Sequence, residues 1–458
     1  MQATQNKMGT ARMFPLIVSM SLPAMFSMLV QALYNVVDSY FVSQISEHAL
    51  TAVSLAYPVQ LLLIAFAVGT SVGINSLISR RLGEGNQEEA DSAATHGVFL
   101  GVCTWVLFLV FGLFFASGFI GLYAQPGSEI YAGGTSYLSI CCVCSMAVFI
   151  ECNFEKTLQA TGNMIWPMVF QLTGAVTNIV LDPVFIFGFG PIPAMGVSGA
   201  AVATVMGQHM ALLVAGLVIA LKDHAVHIHL RGFRPHGRTI ANIYAVGAPS
   251  IIMQAIGSVM NIAINAILVG FYSTAVAVFG VYFKLQSFVF MPVFGLTHGV
   301  MPVMGYNFGA RNRCRVLAAL RIGTLIAACI MAVGTALFWL IPDRFLAIFN
   351  ASQEMMDIGI PALETISLCF LPAALGILFS TLFQAVGRGT YSLMTSLLRQ
   401  LVVLVPTAYL LSSISVQAVW YAFPIAEVVS FIASIGLFVY CYRKMLLPLD
   451  KPLAVPAE

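Results

Sequence analysis

Twelve stretches of the chain are apolar for at least the roughly 20 residues that a helix needs to cross a bilayer core. They are residues 14–42, 51–79, 93–122, 130–160, 164–190, 196–221, 240–270, 277–306, 316–342, 355–386, 390–413 and 417–442. Several exceed the minimum, which implies tilted or kinked spans. Polar residues interrupt the pattern in few places. In the first run Gln31, Tyr34, Asn35 and Asp38 recur at spacings of three and four, so a helix there carries one polar stripe on an otherwise apolar surface. A carboxylate inside a membrane helix is costly, and Asp38 therefore marks an ion or substrate pathway; the alternative is a polar seam joining two helices. In the fifth run Asn178 and Asp182 lie one turn apart on one face. Pro183, which has no N–H, is expected to weaken the helix over residues 184–187 and free carbonyls near Asp182. The simpler role for Asp182 is a cap at that kink.

The two halves of the chain repeat each other. At one constant offset Pro23 meets Pro249, Asn35 meets Asn261, Gln60 meets Gln286, Gly69 meets Gly295, Gly73 meets Gly299, Gly83 meets Gly309 and Asn86 meets Asn312. Six helices per repeat is an even number, so both repeats enter the membrane from the same side and are related by an axis along its normal. The expected fold is an all-α polytopic membrane protein. Its twelve transmembrane helices form two pseudo-symmetric six-helix lobes around a central cleft, 1–221 and 240–458, joined by the basic linker 222–239. Such an architecture serves transport by alternating access. The acids do not repeat: Asp38 falls opposite Ile264, and Asp182, where the offset is one residue shorter as for Gln159 and Gln384, falls opposite Thr407, which places ion chemistry in the first lobe. There two buried carboxylates with Asn178, Tyr34 and Asn35 as neutral oxygen partners suit a proton or a Na⁺.

Composition fits this picture. The chain has 458 residues, 59% hydrophobic and 8% charged, with a mean hydropathy of +0.93, which excludes an ordinary soluble domain. The net charge of +2 matters less than its placement. Apart from Arg344 and Lys284, every Lys and Arg falls on the side of the two termini, Lys156, Arg399 and Lys451 included. By the positive-inside rule both termini are then cytoplasmic. Residues 1–13 precede a run too long for a signal-peptide core, so the first helix is expected to be retained. The linker histidines His224, His227, His229 and His236 read more readily as basic residues beside anionic lipid than as a metal site. Glu151, Asn153, Glu155 and Lys156, near the end of the fourth helix, are expected to face the cytoplasm.

The paired segments GTSVGINSLISRRLGEGN and GLTHGVMPVMGYNFGARN, with LQATGN, NIVLDPVF and GVSGAAVATV, resemble the multidrug and toxic compound extrusion family, in particular its DinF-like and MepA-like bacterial branch. The resemblance covers essentially the whole chain. It implies H⁺- or Na⁺-coupled export of amphipathic, often cationic compounds across the cytoplasmic membrane of a prokaryote, by a non-enzymatic monomer that uses no cofactor beyond the ion and no nucleic acid. It further implies a cation or proton site at Asp38, Asn178, Asp182 and Thr204, with Tyr34 nearby. Gln31, Asn35, Gln254, Asn261 and Lys284 are candidates for the substrate cleft. The NorM-like branch carries further acids on its seventh and tenth helices, and this chain has none in those positions; Glu364 and Glu427 are secondary candidates. Lys284 either exchanges protons or competes with a cation inside, or snorkels to the outer interface. Two other functions fit less well. A lipid-linked oligosaccharide flippase needs a cation-lined cleft, and an intramembrane aspartyl hydrolase needs a Gly-rich signature that neither Asp possesses.

Overall fold

A computed structural model describes residues 6–271, 273–349 and 351–450; Lys451, placed above with the terminal charges, lies outside them. Within the described residues the chain is helical throughout apart from turns and one isolated bridge, Phe189 to Ile192. The helices are α1 (Lys7–Thr10), α2 (Met13–Ser43), α3 (Glu47–Gly83), α4 (Gln87–Phe114), α5 (Ala116–Gly121), α6 (Glu129–Val143), α7 (Met146–Ala160), α8 (Ile165–Phe187), α9 (Val197–Leu221) and α10 (Gly237–Val269). The second half adds α11 (Ser273–Gly309), α12 (Arg313–Leu340), α13 (Pro342–Ala347), α14 (Gln353–Ser367), α15 (Phe370–Ala385), α16 (Gly389–Leu397), α17 (Val405–Ser412), α18 (Val416–Trp420) and α19 (Ala422–Cys441).

Among the described residues ten spans are long and apolar enough to cross a membrane, and two bent helix pairs, each counted as one span, bring the number to twelve. The bends fall in two of the overlong runs, 130–160 and 355–386. α6 and α7 meet at 44°, α14 and α15 at 46°. At the first break the Ser145 hydroxyl donates to the Cys142 carbonyl at 2.7 Å, competing with the helical ladder. At the second, Pro372 near the start of α15 supplies no N–H to bridge the break.

The repeated glycines mark helix crossings. A Cβ on Gly69 would lie 2.7 Å from the Ile251 backbone nitrogen, and its counterpart on Gly295 would lie 2.6 Å from that of Met25. Gly73 meets Ile243 and Gly247, while Gly299 meets Met20 and Ser21; Gly83 sits on the Tyr306 carbonyl and Gly309 on that of Arg80. Only glycine lets two helix backbones come this close. Each crossing joins a helix of one repeat to a helix of the other, and each has its counterpart at the repeat offset. Grouped by contact, the chain forms two compact units whose limits are not those of the repeat halves. The N-terminal unit comprises residues 26–78 and 87–251, and the C-terminal unit comprises 1–25, 79–86 and 252–458.

Within the N-terminal unit α8 and α9 form a tight hairpin. Gly188 turns the chain at φ +82°, and Met195 and Gly196 N–H groups satisfy the carbonyls of Phe185 and Ile186 at 2.9 and 3.1 Å. α8 runs through Pro183 to Phe187 without a break, so the expected unwinding after Asp182 does not occur. The linker is docked on α4. The backbone N–H groups of His227, His229 and His236 donate to Asp91 Oδ1, Thr95 Oγ1 and His96 Nε2 at 2.8, 3.0 and 2.8 Å.

Candidate functional site

α2, α8 and α9 bring together Tyr34, Asp38, Asn178, Asp182 and Thr204. Asp182 is fully buried and Asn178 is 2% exposed. The position of α9 follows from small residues: Gly207 packs on Gly174, and Gly199 on the Phe185 carbonyl, which sets Thr204 beside Asn178. In the orientation that satisfies both ends of its amide, Asn178 donates through Nδ2 to Asp182 Oδ2 at 3.0 Å, and its oxygen accepts from the Thr204 N–H at 3.0 Å and from Thr204 Oγ1 at 3.3 Å. Tyr34 faces the Thr204 side chain. The carboxyl groups of Asp38 and Asp182 lie within hydrogen-bonding reach of each other. Two carboxyls this close, Asp182 buried and Asp38 half-buried, repel unless a proton or cation lies between them. Asp38 Oδ1 is also buried without a hydrogen-bond donor among the described residues. This site therefore has an uncompensated acceptor on a carboxyl pair, backed by amide and hydroxyl oxygens.

Of the rest of the stripe, Gln31 and Asn35 are exposed. Gln254, Asn261 and Lys284 belong to the C-terminal unit. There Asn261 accepts from Asn265 at 2.7 Å, Gln254 is exposed, and the exposed Lys284 places Nζ 5.9 Å from the ring centroid of Phe349, just after α13. Glu364 is half-buried in the last turn of α14.

Three neighbours of the site carried little sequence signal. Gln60 donates to the Tyr137 hydroxyl at 3.2 Å and contacts Cys141 Sγ at 3.6 Å, and these two residues interact electrostatically with Tyr34 and Asp38. Gln60 did stand out as a repeated residue, although nothing in the repeat said where it pointed.

Two placements need correction. Glu151, Asn153, Glu155 and Lys156 do not face the cytoplasm; they are buried, at 7, 2, 4 and 4% exposure. Glu155 pairs with Lys156 at 3.0 Å and accepts from Gln159 at 2.7 Å and Gln171 at 2.9 Å, while Asn75 donates to the Lys156 carbonyl at 3.2 Å. Proximity to a helix end does not report that neighbouring helices cover it. Arg399 is likewise not among the terminal-side charges: it lies inside the span Gly389–Ser412 and pairs with Glu427 at 3.6 Å.

The MatE family model matches residues 23–184 and again 249–410, so its two copies start at Pro23 and Pro249, the same pair that opens the repeat in the sequence. The chain belongs to the MatE family. Among curated proteins it is 25% identical to the multidrug export protein MepA of Staphylococcus aureus (strain bovine RF122 / ET3-1) over 440 residues, 94% of this chain and 95% of MepA. Among solved structures it resembles an outward-facing multidrug resistance MATE family transporter of the MOP superfamily, with a TM-score of 0.90, 27% identity, and coverage of 99% of this chain and 100% of the other. It also resembles a MOP superfamily transporter from Pyrococcus furiosus described as having a binding pocket of reverse polarity (TM-score 0.89, 27% identity, 99% and 100% coverage). This MatE chain is thus an all-α, multi-span membrane protein whose relatives include multidrug export transporters.

Proposed function

We propose that the protein exports amphipathic, often cationic small molecules in exchange for H⁺ or Na⁺, and that the coupling ion binds between Asp38 and Asp182. The observation that carries this reading is the carboxyl pair with its unsatisfied Asp38 Oδ1. A proton between the carboxyls satisfies them with Asn178 as it stands. For Na⁺, oxygen ligands come from Asp38, Asp182 and Thr204, and the Asn178 amide has to turn its oxygen toward the ion. Loading the site changes the environment of α2 through Asp38 and Tyr34. Ion and substrate then exclude one another if each favours a different arrangement of that helix, without sharing a ligand. The drug export named for its relatives and the absence of acids from the NorM-like positions support a coupling site confined to residues 26–251.

The deciding experiment is uptake of a fluorescent cationic dye into inverted membrane vesicles, energised in turn by a pH gradient and by a Na⁺ gradient. Dye accumulation under one gradient, abolished in Asp182→Asn, is expected. No gradient-driven accumulation under either would end the antiport reading.

A further inference from the structure

The C-terminal unit contains a cavity of about 270 Å³ that the coupling chemistry does not use. Its wall is aromatic, with Tyr282, Phe283, Phe290, Phe294 and Phe423, and into it face one cation and one anion, Arg399 and Glu427. Intramembrane ionisable residues are rarely idle. The two charges form a long ion pair, their nearest nitrogen and oxygen 3.6 Å apart, and Cys369 in the same wall also interacts electrostatically with Arg399. The Arg399 side chain is 30% exposed and has five N–H donors available, whereas the Glu427 side chain is 8% exposed.

Backbone geometry supports a built site. Arg399 and the buried Gln400 belong to a π-helical segment, Leu398–Leu404, inserted between α16 and α17. Pro406, just beyond it, lacks an N–H and crowds the carbonyl four residues back, at Val402, a strain that the wider turn relieves. Such insertions shift the faces of a helix out of register and occur at functional positions. The cavity is also the repeat counterpart of the carboxyl site. Met260 and Gln286, both in its wall, are the repeat equivalents of Tyr34 and Gln60, which flank Asp38. The second repeat carries a charge pair there, at positions other than Ile264 and Thr407, the equivalents of the two acids.

We infer that this cavity is a second ligand site, selective for aromatic zwitterions that present a carboxylate to Arg399 and a protonated amine to Glu427 while the rings hold the body. A zwitterion is the ligand that leaves no buried charge uncompensated. A lone anion or lone cation entering the loose pair leaves a net charge in an apolar wall. This is independent of the ion site proposed above.

The test is binding, by fluorescence, of three probes with one fluorophore to the full-length protein in lipid nanodiscs: Nε-dansyl-lysine (zwitterion), dansylglycine (anion) and dansylcadaverine (cation). The expected result is that Nε-dansyl-lysine binds at least about tenfold more tightly than the other two, each of which lacks one of the two charges and so forgoes one charge-assisted hydrogen bond. Arg399→Gln and Glu427→Gln should each erase that preference, and Ser287→Phe, which fills the cavity and leaves both charges in place, should abolish binding of the zwitterion. Thermal unfolding identifies any charge variant that fails to fold, in which case Ser287→Phe decides. Asp38→Asn should leave zwitterion binding within about twofold, so failure of the coupling site and failure of this one are told apart. Equal affinity for the three probes, or zwitterion binding unchanged in Ser287→Phe, overturns the inference.

Discussion

Gly207 on α9 lies against Gly174 on α8, where a Cβ added at 207 would sit 2.7 Å from the Gly174 carbonyl oxygen and 3.2 Å from Asn178 Cβ. The contact fixes the distance between the helices that carry Asn178 and Thr204. Gly207→Val is expected to push them apart and lower dye export by about tenfold or more, the scale of loss for about 1.4 kcal/mol in site geometry. Gly216, on the same helix, faces open space. Gly216→Ala should gain helix propensity, about 0.5–1 kcal/mol, and leave export unchanged. Export rates at matched membrane abundance, with thermal unfolding, check both.

Asp38 and Asp182 share one bound ion in the proposed mechanism. Asp38→Asn and Asp182→Asn should therefore each uncouple export from the gradient, and the double variant should be little worse than either single one. Strictly additive losses in gradient-driven vesicle transport would separate the two carboxyls into independent sites.

Thr204 meets Asn178 through both its N–H and its hydroxyl, and its side chain reaches Tyr34. Thr204→Ser keeps the hydroxyl and should retain most of the activity. Thr204→Val keeps the shape and leaves buried polar partners unsatisfied, at a cost of about 1–3 kcal/mol. Its export should fall well below that of the Ser variant, as a dye-efflux assay would register. Equal activity would remove Thr204 from the site.

The Glu155–Lys156 pair gives a stability prediction. Both side chains are 5% exposed, so removing one partner strands the other, at a cost of about 3–5 kcal/mol. Lys156→Met alone should lower the unfolding temperature sharply, and Glu155→Gln with Lys156→Met should recover part of the loss. A double variant no more stable than Lys156→Met would show that the pair is not coupled.

Asp38, Asn178 and Asp182 were legible because an acid in an apolar run stands out and because helical spacing alone puts Asn178 and Asp182 on one face. The number of spans was legible from run lengths, and the repeat from its glycines. Glu155 and Arg399 were misplaced for one reason: their surroundings come from residues distant in sequence, Gln171 in one case and Glu427 in the other. Kinks were expected from the overlong runs, but the places of the two bends were hidden because so short a break does not interrupt hydropathy. Pro183 misled in the opposite direction. A single missing donor near the end of α8 leaves the helix intact once residues 195 and 196 satisfy its last carbonyls.

The glycine crossings also bear on the order in which the protein is made. Residues 13–25 are synthesised early, yet Ser21 and Met25 pack against Gly299 and Gly295, which emerge only with the second repeat. Until then the first part of α2 lacks these two glycine contacts. With a cysteine introduced among residues 13–25, a ribosome-stalled chain ending near residue 240 should thus leave it open to thiol labelling, and one stalled far enough beyond residue 309 for Gly295 and Gly299 to have left the ribosome should close it.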